Sequence, residues 1–259
     1  MQDELAVYVL VFWGFAAAAG AAFVALQFVD APYGRHLHEG WGPRIDATLG
    51  WVVMEAPSPL VFLACWLAAT PSRRFSATGL VFLALWEAHY VHRAFVFPFR
   101  RRGGTRVIPL SIVSMSIGFN VANGYLNARW LFTLGPQRTA AWLTDPRFLA
   151  GLPLFAVGYA INHRSDRILR ALRLPGPPAG DDYRIPTGGL FRFVSCPNYF
   201  GEIVEWTGWA LATFSPAGLL FALGTAANLV PRARAHHRWY RETFPDYPLE
   251  RKAIVPGVF

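Results

Sequence analysis

The stretch ALWEAHYVHRAFVF, residues 84–97, decides how this chain is read. It lies in a run apolar enough to cross a membrane, yet it carries Glu87, His89, Tyr90, His92 and Arg93. A charge near a bilayer centre costs at least about 2.5–3.5 kcal/mol, so ionisable groups there face a bundle interior or a cavity. The stretch implies two things together: helices packed in a membrane, and a polar site enclosed among them.

Composition agrees. The chain of 259 residues is 54% hydrophobic and 15% charged, which is wrong for a soluble domain and right for an all-α polytopic membrane protein. A span needs about 20 mostly apolar residues. Seven candidates meet or approach that: 5–29, 49–69, 76–98, 107–133, 147–163, 199–214 and 216–231. The fifth and sixth are short and interrupted by polar groups. The first is a span and not a signal peptide, because its apolar run is long and Asp3 and Glu4 precede it without a basic flank.

An odd number of spans puts the termini on opposite sides. With the N-terminus outside, the inner segments hold 18 Lys and Arg and the outer side 5, counting Arg129 and Arg147 at the outer ends of their spans. That bias predicts N-out, C-in. The net charge of +8 then reflects topology and anionic lipid, and nucleic acid is not needed to explain it. Cys65 sits mid-span and Cys196 in an inner segment, so both read as packing residues. The inner stretch LPGPPAGDD (174–182) reads as a mobile turn-forming connection.

Helical rise places the polar groups in depth. At 1.5 Å per residue, Glu55 lies roughly 9 Å and Tyr90 roughly 12 Å from the inner face, with Glu202 and Glu205 about 5–9 Å in. Asn162 and Asn228 also fall near that face, whereas Asn120 and Asn123 lie deeper. Polar interhelical clamps account for any one of these, but a set gathered at one depth predicts a site. Trp86, Tyr90, Arg93 and Phe97 share one helical face, with Glu87 on a neighbouring stripe and His89 and His92 on another. The i,i+3 histidines lack a ligand set, so no metal is expected. A tyrosine beside a carboxylate suits hydrogen bonding to a substrate oxygen.

The inner segments carry different chemistry. NHRSDRILRALR (162–173) places Arg164, Arg167, Arg170 and Arg173 three apart along one helical ridge, and RARAHHRWYRETFPDYP (232–248) mixes arginine with histidine and aromatic residues. Arginine forks suit phosphate oxygens, and aromatic rings suit stacking. A phosphorylated, ring-containing cofactor fits this set, a dinucleotide best. No G-x-G-x-x-G follows a strand, so the site is not a Rossmann one.

These segments resemble the integral-membrane steroid 5α-reductases. The match is clearest over 158–259, in GYAINHRSDRILRALR, YRIPTGGLFRFVSCPNYFGEIVEWTGWALAT, HHRWY and FPDYPLERKAIVPGVF. That C-terminal part is also similar to sterol reductases, enoyl-thioester reductases and isoprenylcysteine carboxyl methyltransferases. EAPS (55–58) and HYVHRAF (89–95) in the N-terminal half resemble the steroid reductase motifs. The resemblance implies NADPH-dependent reduction of the C4–C5 double bond of Δ4-3-ketosteroids, with Glu55 and Tyr90 as the catalytic pair. It implies NADPH binding by Asn162, Asp166, Arg170, Arg173, Tyr183, Arg184, Asn198, Glu202, His236 and Tyr240. Two departures bear on the substrate: Met54 stands where the family has glutamine, and Ser111 where it has an arginine near the steroid.

The expected picture is a monomer in the inner membrane of a bacterium, taking a flat enone from the lipid. Helices of 1–133 mainly form the substrate pocket, and 147–259 mainly bind the cofactor. Rival readings are a reductase of another lipid double bond (sterol or polyprenyl), a lipid methyltransferase, and a non-enzymatic sterol-binding membrane protein.

Overall fold

A computed structural model describes residues 2–32, 34–100, 107–173 and 183–259, and the stretch LPGPPAGDD lies outside them. The described residues are mostly helical. In chain order the helices are α1 (Gln2–Ala25), α2 (Ala47–Glu55), α3 (Pro57–Leu67), α4 (Pro71–Arg74), α5 (Ala77–Val91), α6 (Phe97–Arg100), α7 (Leu110–Arg129), α8 (Pro146–Ala171), α9 (Pro197–Thr213) and α10 (Pro216–Thr243). The seven sequence-predicted spans overlap these helices, although 107–109 is strand, and among the described residues two stretches, Gln2–Ala25 and Ala47–Leu67, are long and apolar enough to cross a membrane.

Local chemistry sets the boundaries. The Asp46 carboxylate accepts from the Thr48 and Leu49 amides at 2.9 Å and caps α2. Ser76, Asp145 and Ser215 cap α5, α8 and α10 in the same way. Proline opens α3, α8, α9 and α10, where its missing N–H costs nothing. Pro98 has the opposite effect. Its ring cannot follow an α-turn without clashing with the Ala94 carbonyl, and His92–Val96 widens into a π-turn that ends on Phe97 N–H to His92 O.

A small antiparallel pair, β1 (Arg44–Asp46) with β2 (Val107–Pro109), pins the start of α2 to the start of α7. Gly124 lets α7 close on α3, since a Cβ there would sit 2.9 Å from Ser58 O. The tightest contact joins α8 to α9. Gly151 and Gly158 on one helix meet Gly208 and Gly201 on the other, and a Cβ at Gly158 would lie 2.5 Å from Gly201 O. Backbone-to-backbone packing of this kind is how small residues hold helices together where lipid replaces water.

The core between these helices is aromatic. Phe62 stacks on Trp86 with centroids 4.5 Å apart, and Trp86 meets Trp206 and Trp209 at 5.6 and 5.3 Å. Two of its indole N–H groups find partners inside the protein: Trp209 donates to Asn127 Oδ1 at 2.9 Å and Trp142 to Ala212 O at 2.8 Å. Helix α8 runs well past the predicted 147–163. Its last two turns carry the arginine row out of the apolar region, because nothing in NHRSDRILRALR breaks a helix.

Candidate active site

Two neighbouring chambers share part of their lining. The larger, about 280 Å³, is enclosed by α8, α9, α10 and the segment after α1. Nine of the ten residues expected to bind a cofactor line it: Asn162, Asp166, Arg170, Arg173, Tyr183, Asn198, Glu202, His236 and Tyr240. Arg184 is the exception; its side chain is exposed and lies outside the lining, one residue beyond Tyr183 on an irregular strand of chain.

The glycine contact between α8 and α9 builds this wall. It brings Asn162 Nδ2 to 3.1 Å from Asn198 O, and Asn198 Nδ2 to 3.3 Å from Asp166 Oδ1. Across the chamber, His236 bridges His36 at 3.2 Å and the Tyr199 hydroxyl at 3.1 Å, while Arg232 donates to that hydroxyl at 3.0 Å. Arg170 faces the chamber and forms no ion pair among the described residues. The C-terminal tail locks behind this wall through Ser195, whose hydroxyl lies 2.6 Å from both His237 Nδ1 and Tyr247 OH. Burial pushes the His237 imidazole below its ordinary pKa, and Arg241 and Lys252 push the same way.

The smaller chamber, about 80 Å³, lies deeper. Glu55, His89, Tyr90, Arg93, Asn120, Glu202 and Asn228 line it, with Phe119 and Phe221 as its apolar wall. Arg93, Glu202, Asn228 and Leu229 border both chambers. Glu55 ends α2, where its carboxylate lies 3.7 Å from the Arg93 guanidinium. Arg93 is on the π-turn and stacks over Trp51 and Phe97 at 4.9 and 5.2 Å. Asn120 Nδ2 donates to Met54 O at 2.7 Å and approaches Glu55 Oε2 at 3.5 Å.

Tyr90 is buried, and its hydroxyl oxygen accepts from Asn123 Nδ2 at 3.1 Å. That contact uses a lone pair and leaves the hydroxyl proton to be donated elsewhere. Asn123 is fixed in turn by Asn127 Nδ2, 3.0 Å from its side-chain oxygen. Asn120, Asn123 and Asn127 thus form a ladder along one face of α7, ending on the Trp209 indole. Their spacing of three and four was a readable signal, but nothing in the sequence says what they face. His89 is committed as well: its Nδ1 lies 2.7 Å from Glu205 Oε1, with both side chains buried. Met54 packs with Ile108, Ile112 and Val113, and the Ser111 hydroxyl donates to Trp41 O at 2.7 Å.

Known proteins share this arrangement of sequence. Residues 106–259 match the family described as 3-oxo-5-alpha-steroid 4-dehydrogenase, and the chain belongs to that family. It is 43% identical over 241 residues to the steroid 5-alpha-reductase DET2 of Gossypium hirsutum, covering 92% of each chain. It is 42% identical over 239 residues to 3-oxo-5-alpha-steroid 4-dehydrogenase 1 of Homo sapiens, covering 92% of this chain and 90% of the relative. With 3-oxo-5-alpha-steroid 4-dehydrogenase 2 of Rattus norvegicus it shares 41% over 231 residues, 88% of each. These relatives are oxidoreductases by name, and both the N-terminal motifs and the C-terminal segments fall within the shared length.

Proposed function

We propose that the protein is an NADPH-dependent reductase that converts Δ4-3-ketosteroids to 5α-3-ketosteroids. It would act as a seven-span monomer of a bacterial inner membrane, with the N-terminus outside. The observation that carries this reading is the shared wall. A chamber lined with arginine, asparagine and aromatic side chains shares lining residues with a smaller one holding a buried tyrosine and a half-buried carboxylate.

The donor set fits the cofactor. Arg170 and Arg173 suit phosphates, Asn162, Asp166 and Asn198 suit amide and ribose groups, and the tyrosines and His236 suit flat rings. When bound, NADPH supplies a hydride. Tyr90 donates its free proton to the 3-keto oxygen, and Asn123 holds the hydroxyl in that orientation. Glu55 in its neutral form donates a second hydrogen bond to the same oxygen, and Arg93 fixes its position. Together they withdraw charge from the conjugated double bond and stabilise the enolate that forms as C5 is reduced. The aromatic packing of Trp86, Trp206 and Phe221 excludes water around them. Exposed apolar side chains on α1, including Leu10 and Trp13, suit contact with lipid, from which a flat apolar enone would arrive.

A second reading concerns the substrate. Met54 packs against Ile108, Ile112 and Val113 and does not line the smaller chamber, so it offers a substrate oxygen no polar contact, and sterol and polyprenyl substrates are the alternatives to a 3-ketosteroid. The test uses detergent-purified protein, progesterone and NADPH deuterated at C4, with product analysed by mass spectrometry. A product heavier by two hydrogens, one of them deuterium at C5, supports the reading. Well-folded protein that neither binds NADPH nor reduces any of these substrates overturns it.

A further inference from the structure

Each turnover of the proposed reaction consumes one proton as well as one hydride, and that proton must cross tightly packed aromatic side chains. A row of polar groups runs through them, between α5 with its π-turn, α8 and α9. His92 and His163 touch with ring centroids 4.0 Å apart, and His163 stacks on Tyr159 at 3.9 Å. Tyr159 meets His89 edge-on at 6.3 Å. His89 Nδ1 is held by Glu205 Oε1, and Glu205 Oε2 is buried with no hydrogen-bond partner among the described residues.

Burial is graded along the row. His92, His163 and Tyr159 are half-buried, whereas His89 and Glu205 are buried. The shallow end is flanked by Arg100 and Arg170, which keep it on the arginine-rich side. The deep end opens on the small chamber, where His89 is a lining residue beside Glu55 and Tyr90. Gly158 seats the Glu205 backbone directly against α8, one residue from Tyr159.

We infer that His89, backed by Glu205, delivers the proton to the substrate α-carbon, and that Tyr159, His163 and His92 resupply it from the cytoplasmic side. This rests on the reductase reading. In the protonation step the His89 Nε2–H bond breaks, and the electron pair of the enolate forms the new C4–H bond. The imidazolium becomes a neutral imidazole while its Nδ1–H stays on Glu205. One solvent proton then passes inward through His92, His163 and Tyr159 to the bared His89 Nε2 and restores the imidazolium, with the Glu205 carboxylate as its counter-ion. An imidazole suits this because one ring nitrogen accepts while the other donates. His89 is the group that meets substrate; the other members act through it.

The test compares wild type, His163→Ala, His92→Ala and His163→Gln in H₂O and D₂O, with NADPH and a Δ4-3-ketosteroid. Glutamine keeps bulk but cannot carry a proton, and it serves if the alanine variants do not fold. The relay predicts a fall in kcat of about 10- to 100-fold and a larger solvent isotope effect. It also predicts partial recovery with added imidazole in the alanine variants, and NADPH affinity within twofold of wild type. Active wild type with variants of unchanged kcat and isotope effect overturns the relay alone. So do slow variants that imidazole does not rescue and whose isotope effect is unchanged, since packing would explain those. Wild type that binds NADPH but reduces no enone overturns the relay and the reductase reading together.

Discussion

Substitution of one glycine tests both the helix packing and its bearing on the cofactor chamber. A Cβ added at Gly158 would sit 2.5 Å from Gly201 O and 2.6 Å from Glu205 Cα, with the Glu205 amide nitrogen closer still. Unstrained contacts begin near 3.5 Å, so α8 and α9 must part by roughly 1 Å to admit a methyl group. All three neighbours are backbone, and no side-chain rotation relieves the clash. Overpacking costs about 1–3 kcal/mol, and the better helix propensity of alanine returns up to about 1 kcal/mol. The net is a loss of roughly 1–2 kcal/mol, read as a Tm lower by about 2–8 °C. One turn along the same interface is the 3.1 Å bond from Asn162 to Asn198 O. Losing a bond of this kind costs about 0.5–1.5 kcal/mol, so NADPH should bind roughly 3- to 10-fold more weakly. Gly14→Ala is the control, because nothing lies within 4 Å of a Cβ there. It should leave NADPH affinity alone and keep or raise Tm. Thermal unfolding and NADPH titration of both variants in the same detergent decide the matter. If Gly158→Ala matches Gly14→Ala in both measurements, the close approach of α8 and α9 is wrong.

Three further outcomes are expected. Tyr90→Phe should lower kcat about 10²- to 10³-fold with little change in steroid KM; a change under threefold in steady-state assays would remove Tyr90 from the carbonyl. Arg170→Gln should weaken NADPH binding about 10- to 100-fold, the loss of one charge-assisted contact, and leave the steroid KM unchanged; an unaltered dissociation constant would place the phosphates elsewhere. His237 has a folded pKa below the ordinary value, so its stabilising contribution is complete above about pH 6.5 and is lost as pH falls below it. Unfolding followed from pH 7.5 down to 5 should therefore show a falling Tm, and His237→Gln should flatten that slope; a wild-type Tm that rises on acidification contradicts the assignment.

The long helices were legible because apolar runs and Pro or Ser/Asp start signals are local properties. The extension of α8 past the apolar run was legible too, since NHRSDRILRALR sets its arginines three apart along one helical ridge and holds no helix breaker. Glu55 and Tyr90 could be picked out as costly groups in apolar surroundings. Asn123 could not be paired with Tyr90, nor Glu205 with His89, because those contacts span 33 and 116 residues of sequence. His36 went unremarked for the same reason: it reaches the larger chamber only because the segment after α1 folds back on His236. The sevenfold spacing of Gly151 and Gly158, repeated in Gly201 and Gly208, was visible in the sequence. Its meaning required knowing that the two helices face each other.

The wall common to the two chambers has a kinetic consequence. At about 80 Å³ the inner space is much smaller than the outer one of about 280 Å³, and four of its boundary residues also bound that outer chamber. Whatever settles in the outer chamber completes the surface against which the second ligand packs. On the proposed reading, a catalyst built this way would follow a compulsory order of addition, with the dinucleotide first on and last off. Product inhibition by the spent dinucleotide would then be competitive against the fresh one and noncompetitive against the steroid.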